Sequence, residues 1–156
     1  MQLRVYMFQR PCFGGFDMAV RILIVDDHEI VRHGIRSILH ARPQWEICGE
    51  GADGHEAVSL AKELHPDVII LDVTMPVMGG LAAASQILHA SRNARILIFT
   101  MHESMTLSKL VQKSGAHGLV VKSQASKNLI QAVETILAGD TFFPPQHGEP
   151  IAQEVY

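Results

Sequence analysis

From residue 20 onward, short apolar runs alternate with stretches in which apolar residues recur every three or four positions. Val20–Val25 (VRILIV) is apolar, rich in β-branched residues and closed by Asp26 and Asp27, which predicts a buried strand. Val31, Ile35, Ile38 and Leu39 then recur at helical spacing, with Arg32 and Arg36 on another face, which predicts an amphipathic helix. The alternation continues with strands expected over 46–50, 67–71, Arg95–Thr100 and 117–121. The helices between and after them are expected over Gly54–Leu64, 81–90, 104–114 and 126–138, the first of these ending before Pro66.

Five strands therefore alternate with five helices. Strands apolar on both faces are those covered by helices on both sides, so the sheet should be parallel. Right-handed crossovers make this a doubly wound α/β domain over 18–139. Residues 1–17 have no clear period and contain Pro11, Gly14 and Gly15, so they read as an irregular extension or a leader, with Met18 a natural first residue. The tail, 140–156, holds Pro144, Pro145, Gly148 and Pro150 and reads as a linker, with no helix-turn-helix pattern after it; any output domain is expected to be absent from this chain.

Composition narrows the function classes. Hydrophobic residues at 47% and charged residues at 19% of 156 describe an ordinary globular chain of about one domain. A formal net charge of −3 argues against binding nucleic acid by the chain's own electrostatics, which usually needs a basic stripe. Cys12 and Cys48 make no disulfide framework and read as reduced thiols of a cytosolic protein. No apolar run approaches the roughly 20 residues needed to cross a bilayer. The nine histidines are scattered, with no HExxH and no Cys/His ligand spacing, so they do not indicate a histidine metal site.

The strand ends carry the chemistry. The first strand ends in Asp26 and Asp27, the third in Asp72, the fourth in Thr100 and the fifth in Lys122. In a doubly wound sheet these ends share one rim, the rim at which ligands bind. Three carboxylates brought together repel each other, and a hard divalent cation relieves this; Mg²⁺ takes oxygen ligands and typically one or two carboxylates. Lys122 adds a second positive charge able to hold an incoming dianion. A carboxylate beside a metal is a nucleophile toward phosphorus, and phosphoryl transfer needs little beyond in-line positioning and charge neutralisation. Each residue also has an ordinary structural reading. Asp26 and Asp27 could cap a helix, Asp72 could serve a turn, Thr100 could merely end a strand and Lys122 could be a solvated lysine. Their coincidence at one rim favours the chemical reading.

This series resembles the receiver (CheY-like) domain of response regulators. The segment Asp72-Val73-Thr74-Met75-Pro76-Val77-Met78-Gly79-Gly80 is similar to the D-x-x-M-P-x-M-x-G signature of that family. The segments beginning Asp26-Asp27-His28 and Ser114-Gly115-Ala116 resemble its NarL/LuxR branch. The resemblance covers about 20–139 and implies a flavodoxin-like strand order 2-1-3-4-5. It implies Asp72 as phospho-acceptor, Mg²⁺ held by Asp27, Asp72 and the Thr74 backbone carbonyl, and Asp26 reaching the metal through water. It implies Thr100 as the switch hydroxyl, Lys122 as the cation paired with the phosphoryl group, and Thr74 and His102 as positions that tune phosphoryl lifetime. The implied partner is a histidine kinase. The implied moving surface is that of the fourth helix, fifth strand and fifth helix (α4–β5–α5), through which a homodimer could form. DNA would be reached only through an output domain, for regulation of transcription. Where the family usually carries an aromatic residue three positions before the lysine, this chain has Leu119, so coupling to that face would be weaker or built differently.

Three other readings remain. An aspartyl-nucleophile phosphatase would place D-x-D after the first strand, where this chain has adjacent Asp26 and Asp27. A nucleotide- or flavin-binding module would want a phosphate cradle of backbone amides there, which two aspartates oppose. A degenerate receiver acting only by protein contact would not need an intact acidic site.

Overall fold

The strands bury apolar residues on both of their sides, and the sheet is accordingly covered on both faces. The computed structural model describes residues 19–145; the expected extension over 1–17 and the tail beyond 145 lie outside the described residues. Along the chain come β1 (Val20–Val25), α1 (Glu29–Leu39), β2 (Trp45–Gly51), α2 (Gly54–Leu64) and β3 (Val68–Asp72). Then follow α3 (Gly80–Ala90), β4 (Arg95–Thr100), α4 (Met105–Lys113), β5 (Gly118–Val121) and α5 (Ala125–Leu137), with a 3-10 turn over Lys122–Gln124 before α5. The five strands form one all-parallel sheet in the order β2-β1-β3-β4-β5, as the resemblance implies.

The period of two divides the core. Leu23, Val25, Ile69, Leu71, Ile96, Ile98 and Leu119 face one side, packing with Ala57 and Leu60 of α2, Ala83 and Ile87 of α3, and Val111 of α4. Ile22, Ile24, Val68, Ile70, Leu97, Phe99 and Val120 face the other, packing with Ile35 and Leu39 of α1 and Leu129, Val133 and Ile136 of α5. In β2 the pairing with β1 slips at Cys48, which sits between Ile47 and Gly49 in the register. Burial pushes the Cys48 thiol up to about 11, so it is an unreactive packing residue at neutral pH.

Element boundaries depart from the pattern where packing outweighs periodicity. α1 begins at Glu29, two residues before the apolar period, because the His28 carbonyl already accepts from Val31 N–H and Arg32 N–H. Asp72 is the last residue of β3, in register with Phe99 of β4. Packing continues past residue 139. Phe142 pairs with Gly118 on the open edge of β5, donating from its N–H to the His117 carbonyl and accepting from Leu119 N–H. Its ring packs against the α1/α5 face, while Phe143 packs against the other. Gly118 admits this approach, since a Cβ there would lie 2.8 Å from the Phe142 carbonyl oxygen.

Candidate functional site

The parallel register gathers the strand ends. Val25 pairs with Leu71, so Asp26 and Asp72 emerge side by side; Asp72 pairs with Phe99, and Thr100 pairs with Val121, immediately before Lys122. Asp26 is 1% exposed, Asp72 4% and Thr100 6%, whereas Asp27 lies at the exposed mouth. Lys122 Nζ reaches 2.6 Å from Asp26 Oδ2 and 3.3 Å from Asp72 Oδ1, and it also lies over the Phe99 ring. Thus Asp26, Asp27, Asp72 and Lys122 meet at one point. The capping alternative fails for Asp26 and Asp27: the residue at the start of α1 is His28, which makes no side-chain cap.

The site is electrostatically uneven. Burial, and after it the Asp26 carboxylate, raise the Asp72 pKa above the usual value, and the Lys122 ammonium offsets only part of this. Apart from that ammonium, Asp26 Oδ2 has no hydrogen-bonding neighbour among the described residues. Three carboxylates with one lysine leave a surplus of negative charge in a partly dry site, which suits a divalent cation with oxygen ligands. One donor atom from each of Asp26, Asp27, His28 and Asp72 lies within 4.8 Å of all the others, close enough to share one ion.

The other expected residues fall around this centre. Thr74 is exposed in the loop after β3. The Thr100 hydroxyl donates to the His102 carbonyl at 3.2 Å, so in this state it is directed into the loop between β4 and α4. Leu119, in the place of the usual aromatic, is 1% exposed and packs inward beside Ile98. Between Asp72 and α3 the chain turns tightly. Gly80 N–H donates to the Val73 carbonyl, and a Cβ on Gly80 would lie 1.9 Å from the Asp72 carbonyl oxygen, so only glycine fits. Val77, at the loop's tip, holds φ 69°, a left-handed conformation that costs a β-branched residue about 1–2 kcal/mol.

Two sets of residues carried no clear sequence signal. Arg32 donates to the Asp26 carbonyl at 2.6 Å and pairs with Glu50, which also accepts from Arg36; this ties the end of β2 to the carboxylate pair. Only the helical spacing of Arg32 and Arg36 hinted at a shared partner. Ile30 and Val77, each 78% exposed, and Met101, 63% exposed, lie on the chain just beyond β1, β3 and β4, leaving an apolar fringe at the same rim.

Comparison with known proteins points to one family. The family model described as the response regulator receiver domain matches residues 22–134. The transcriptional regulatory protein DegU of Brevibacillus brevis is 32% identical over 127 residues, covering 81% of this chain and 54% of its own length. The oxygen regulatory protein NreC of Staphylococcus carnosus is 35% identical, covering 86% and 63%. The chain thus spans less than two thirds of the length of these curated relatives. Among solved structures, a LuxR-family two-component response regulator from Aurantimonas sp. SI85-9A1 is similar with a TM-score of 0.77 at 42% identity, covering 80% of this chain and 89% of that one. The isolated receiver domain of RcsB from Salmonella enterica serovar Typhimurium, solved in the presence of the phosphomimetic BeF₃⁻, has a TM-score of 0.74 at 26% identity, covering 80% of this chain and 93% of that one.

Proposed function

The chain belongs to the response regulator receiver family, on its NarL/LuxR branch, and from that premise we propose that it accepts a phosphoryl group on Asp72 from the phosphohistidine of a histidine kinase. The observation that carries this reading is the meeting of Asp26, Asp27 and Asp72 with Lys122 at the strand-end rim. Asp27, Asp72 and the Thr74 carbonyl would hold Mg²⁺, with Asp26 reaching it through water. When bound, the ion supplies charge neutralisation for the incoming phosphoryl oxygens.

The chain's own residues do the rest. An Asp72 carboxylate oxygen attacks phosphorus in line, the new O–P bond forming as the donor's N–P bond breaks and the imidazole leaves with the electron pair. Lys122, resting on Asp26, is close enough to turn to the new dianion. The Thr100 hydroxyl exchanges the His102 carbonyl for a phosphoryl oxygen. A neutral hydrogen bond contributes about 0.5–1.5 kcal/mol and one to a charged group about 1.5–3, so this exchange favours the phosphorylated arrangement by about 1 kcal/mol. Shifting a two-state balance from 1:99 to 99:1 takes about 5.5 kcal/mol, so most of the bias must come from Lys122 and from repacking of α4 and β5.

The apolar fringe of Ile30, Val77 and Met101 supports docking of a protein that presents the phosphohistidine. The output is control of a DNA-binding transcriptional domain, by self-association through α4–β5–α5 or by release of that domain, in a cytoplasmic regulator. The test is intact mass after incubation with Mg²⁺ and acetyl phosphate, beside Asp72→Ala. A gain of one phosphoryl group that needs the cation and is lost in the variant is expected. No gain by folded, cation-binding protein would leave an interaction module that takes no phosphoryl group.

A further inference from the structure

The chemistry proposed above uses only oxygen ligands, yet an imidazole stands at the mouth of the same cluster. His28 Nδ1 lies 3.1 Å from Asp27 Oδ1 and 3.3 Å from Asp26 Oδ1. The backbone that carries the ring is held at the head of α1: His28 N–H donates to Asp26 Oδ1 at 2.9 Å, and its carbonyl accepts from Val31 and Arg32, while the side chain itself is 64% exposed. Neighbouring ligands of an octahedral ion bound at about 2.1 Å stand about 3.0 Å apart, and those of a tetrahedral ion bound at about 2.0 Å stand about 3.3 Å apart. The separation of His28 Nδ1 from Asp27 Oδ1, the direct carboxylate ligand of the reading above, matches that of adjacent ligands on one ion. Lys122, at 2.6 Å from Asp26 Oδ2 and 3.3 Å from Asp72 Oδ1, is shared between two carboxylates, so among the described residues the three acidic groups face a single ammonium and keep a surplus of negative charge.

We propose that His28 is a nitrogen ligand of the cation site and sets its preference, giving borderline divalent cations such as Zn²⁺ an added ligand that Mg²⁺ does not use. Mg²⁺ is hard and is served by carboxylate, carbonyl and water oxygens; imidazole nitrogen adds affinity for the later transition ions. The ring then carries its proton on Nε2, toward solvent, and turns the Nδ1 lone pair to the ion. Without such an ion the same atom serves as a hydrogen-bond donor to the two carboxylates, which is the alternative the experiment must separate. The inference rests on the reading of Asp26, Asp27 and Asp72 as a divalent cation site.

The test titrates the full chain with Zn²⁺ and, separately, with Mg²⁺, for wild type, His28→Ala and Asp27→Asn. The Zn²⁺ site lost in Asp27→Asn is taken as the one at the rim. Losing a ligand should weaken that Zn²⁺ site about tenfold or more in His28→Ala while Mg²⁺ affinity stays within about twofold, which also establishes that the variant is folded. The ring ¹⁵N signal absent from the His28→Ala spectrum should move when Zn²⁺ binds the wild type. An unchanged ratio of Zn²⁺ to Mg²⁺ affinity, with that signal unmoved, overturns the role of His28 and leaves the cation site standing. Absence of any Asp27-dependent binding of either ion overturns the cation site itself, and the inference with it.

Discussion

Lys122 Nζ lies 2.6 Å from Asp26 Oδ2, an ion pair in which the carboxylate side chain is 1% exposed and the lysine side chain 10%. Removing one partner of a buried pair strands the other, at a cost of about 3–5 kcal/mol. Lys122→Met should therefore lower urea stability by about 3 kcal/mol in metal-free buffer. A divalent cation should restore more stability to this variant than to the wild type, because it takes over the charge that Lys122 neutralised. Urea denaturation with and without Mg²⁺ measures both effects.

Asp72 gives a pH dependence of known sign. Burial and the Asp26 carboxylate raise its pKa in the folded state, so the folded protein favours the protonated form. The stability this contributes is fully present below the ordinary carboxylate pKa, near 3.8, and is lost as pH rises through the raised folded value. Asp72→Asn removes the charged form. In metal-free buffer it should melt above the wild type at pH 7, with the gap closing as pH falls toward 4. Thermal melts across that range check this, and an equal gap at both ends would contradict it.

Gly80 and Gly34 should respond oppositely to alanine. A Cβ on Gly80 would overlap the Asp72 carbonyl oxygen at 1.9 Å, so backbone beside the acceptor must move; Gly80→Ala should cost about 3 kcal/mol or more. Gly34, within α1, has nothing among the described residues within 4 Å of such a Cβ, and Gly34→Ala should stabilise by about 0.5–1 kcal/mol. Chemical denaturation of the two variants makes the comparison.

Phe142 closes the open edge of β5 through two backbone hydrogen bonds and packs its half-buried ring against the α1/α5 face. Truncating a fully buried phenylalanine costs about 3–5 kcal/mol, so Phe142→Ala should cost about 2 kcal/mol. Amide exchange at Leu119, whose N–H donates to the Phe142 carbonyl, should accelerate in the variant by more than at Ile96 in β4. Exchange measured residue by residue decides it.

The order of elements, the parallel sheet and the identity of Asp26, Asp27, Asp72, Thr100 and Lys122 as strand-end residues were legible in the chain. Each depends on local periodicity: apolar runs mark strands buried on both faces, and polar residues that end such runs must surface at a rim. That Asp26, Asp27, Asp72 and Lys122 would meet was also deducible, because parallel strands send all their carboxyl ends the same way.

What the tertiary structure decided is which of these groups touch. No spacing in the chain distinguishes Lys122 resting on Asp26 from Lys122 resting on Asp72; the register Thr100 to Val121 and Val25 to Leu71 sets those distances. His28 reads as one scattered histidine until the start of α1 turns its ring onto two carboxylates. Arg32 and Arg36 lie on α1 and Glu50 on β2, and they become a cluster only when β2 pairs with β1. Phe142 and Phe143 lie in a stretch with no period, so only the unfilled edge of β5 explains their order. Periodicity is a property of neighbours along the chain, whereas an ion pair or an edge bridge depends on segments far apart in it, and these are positioned only once the sheet has formed.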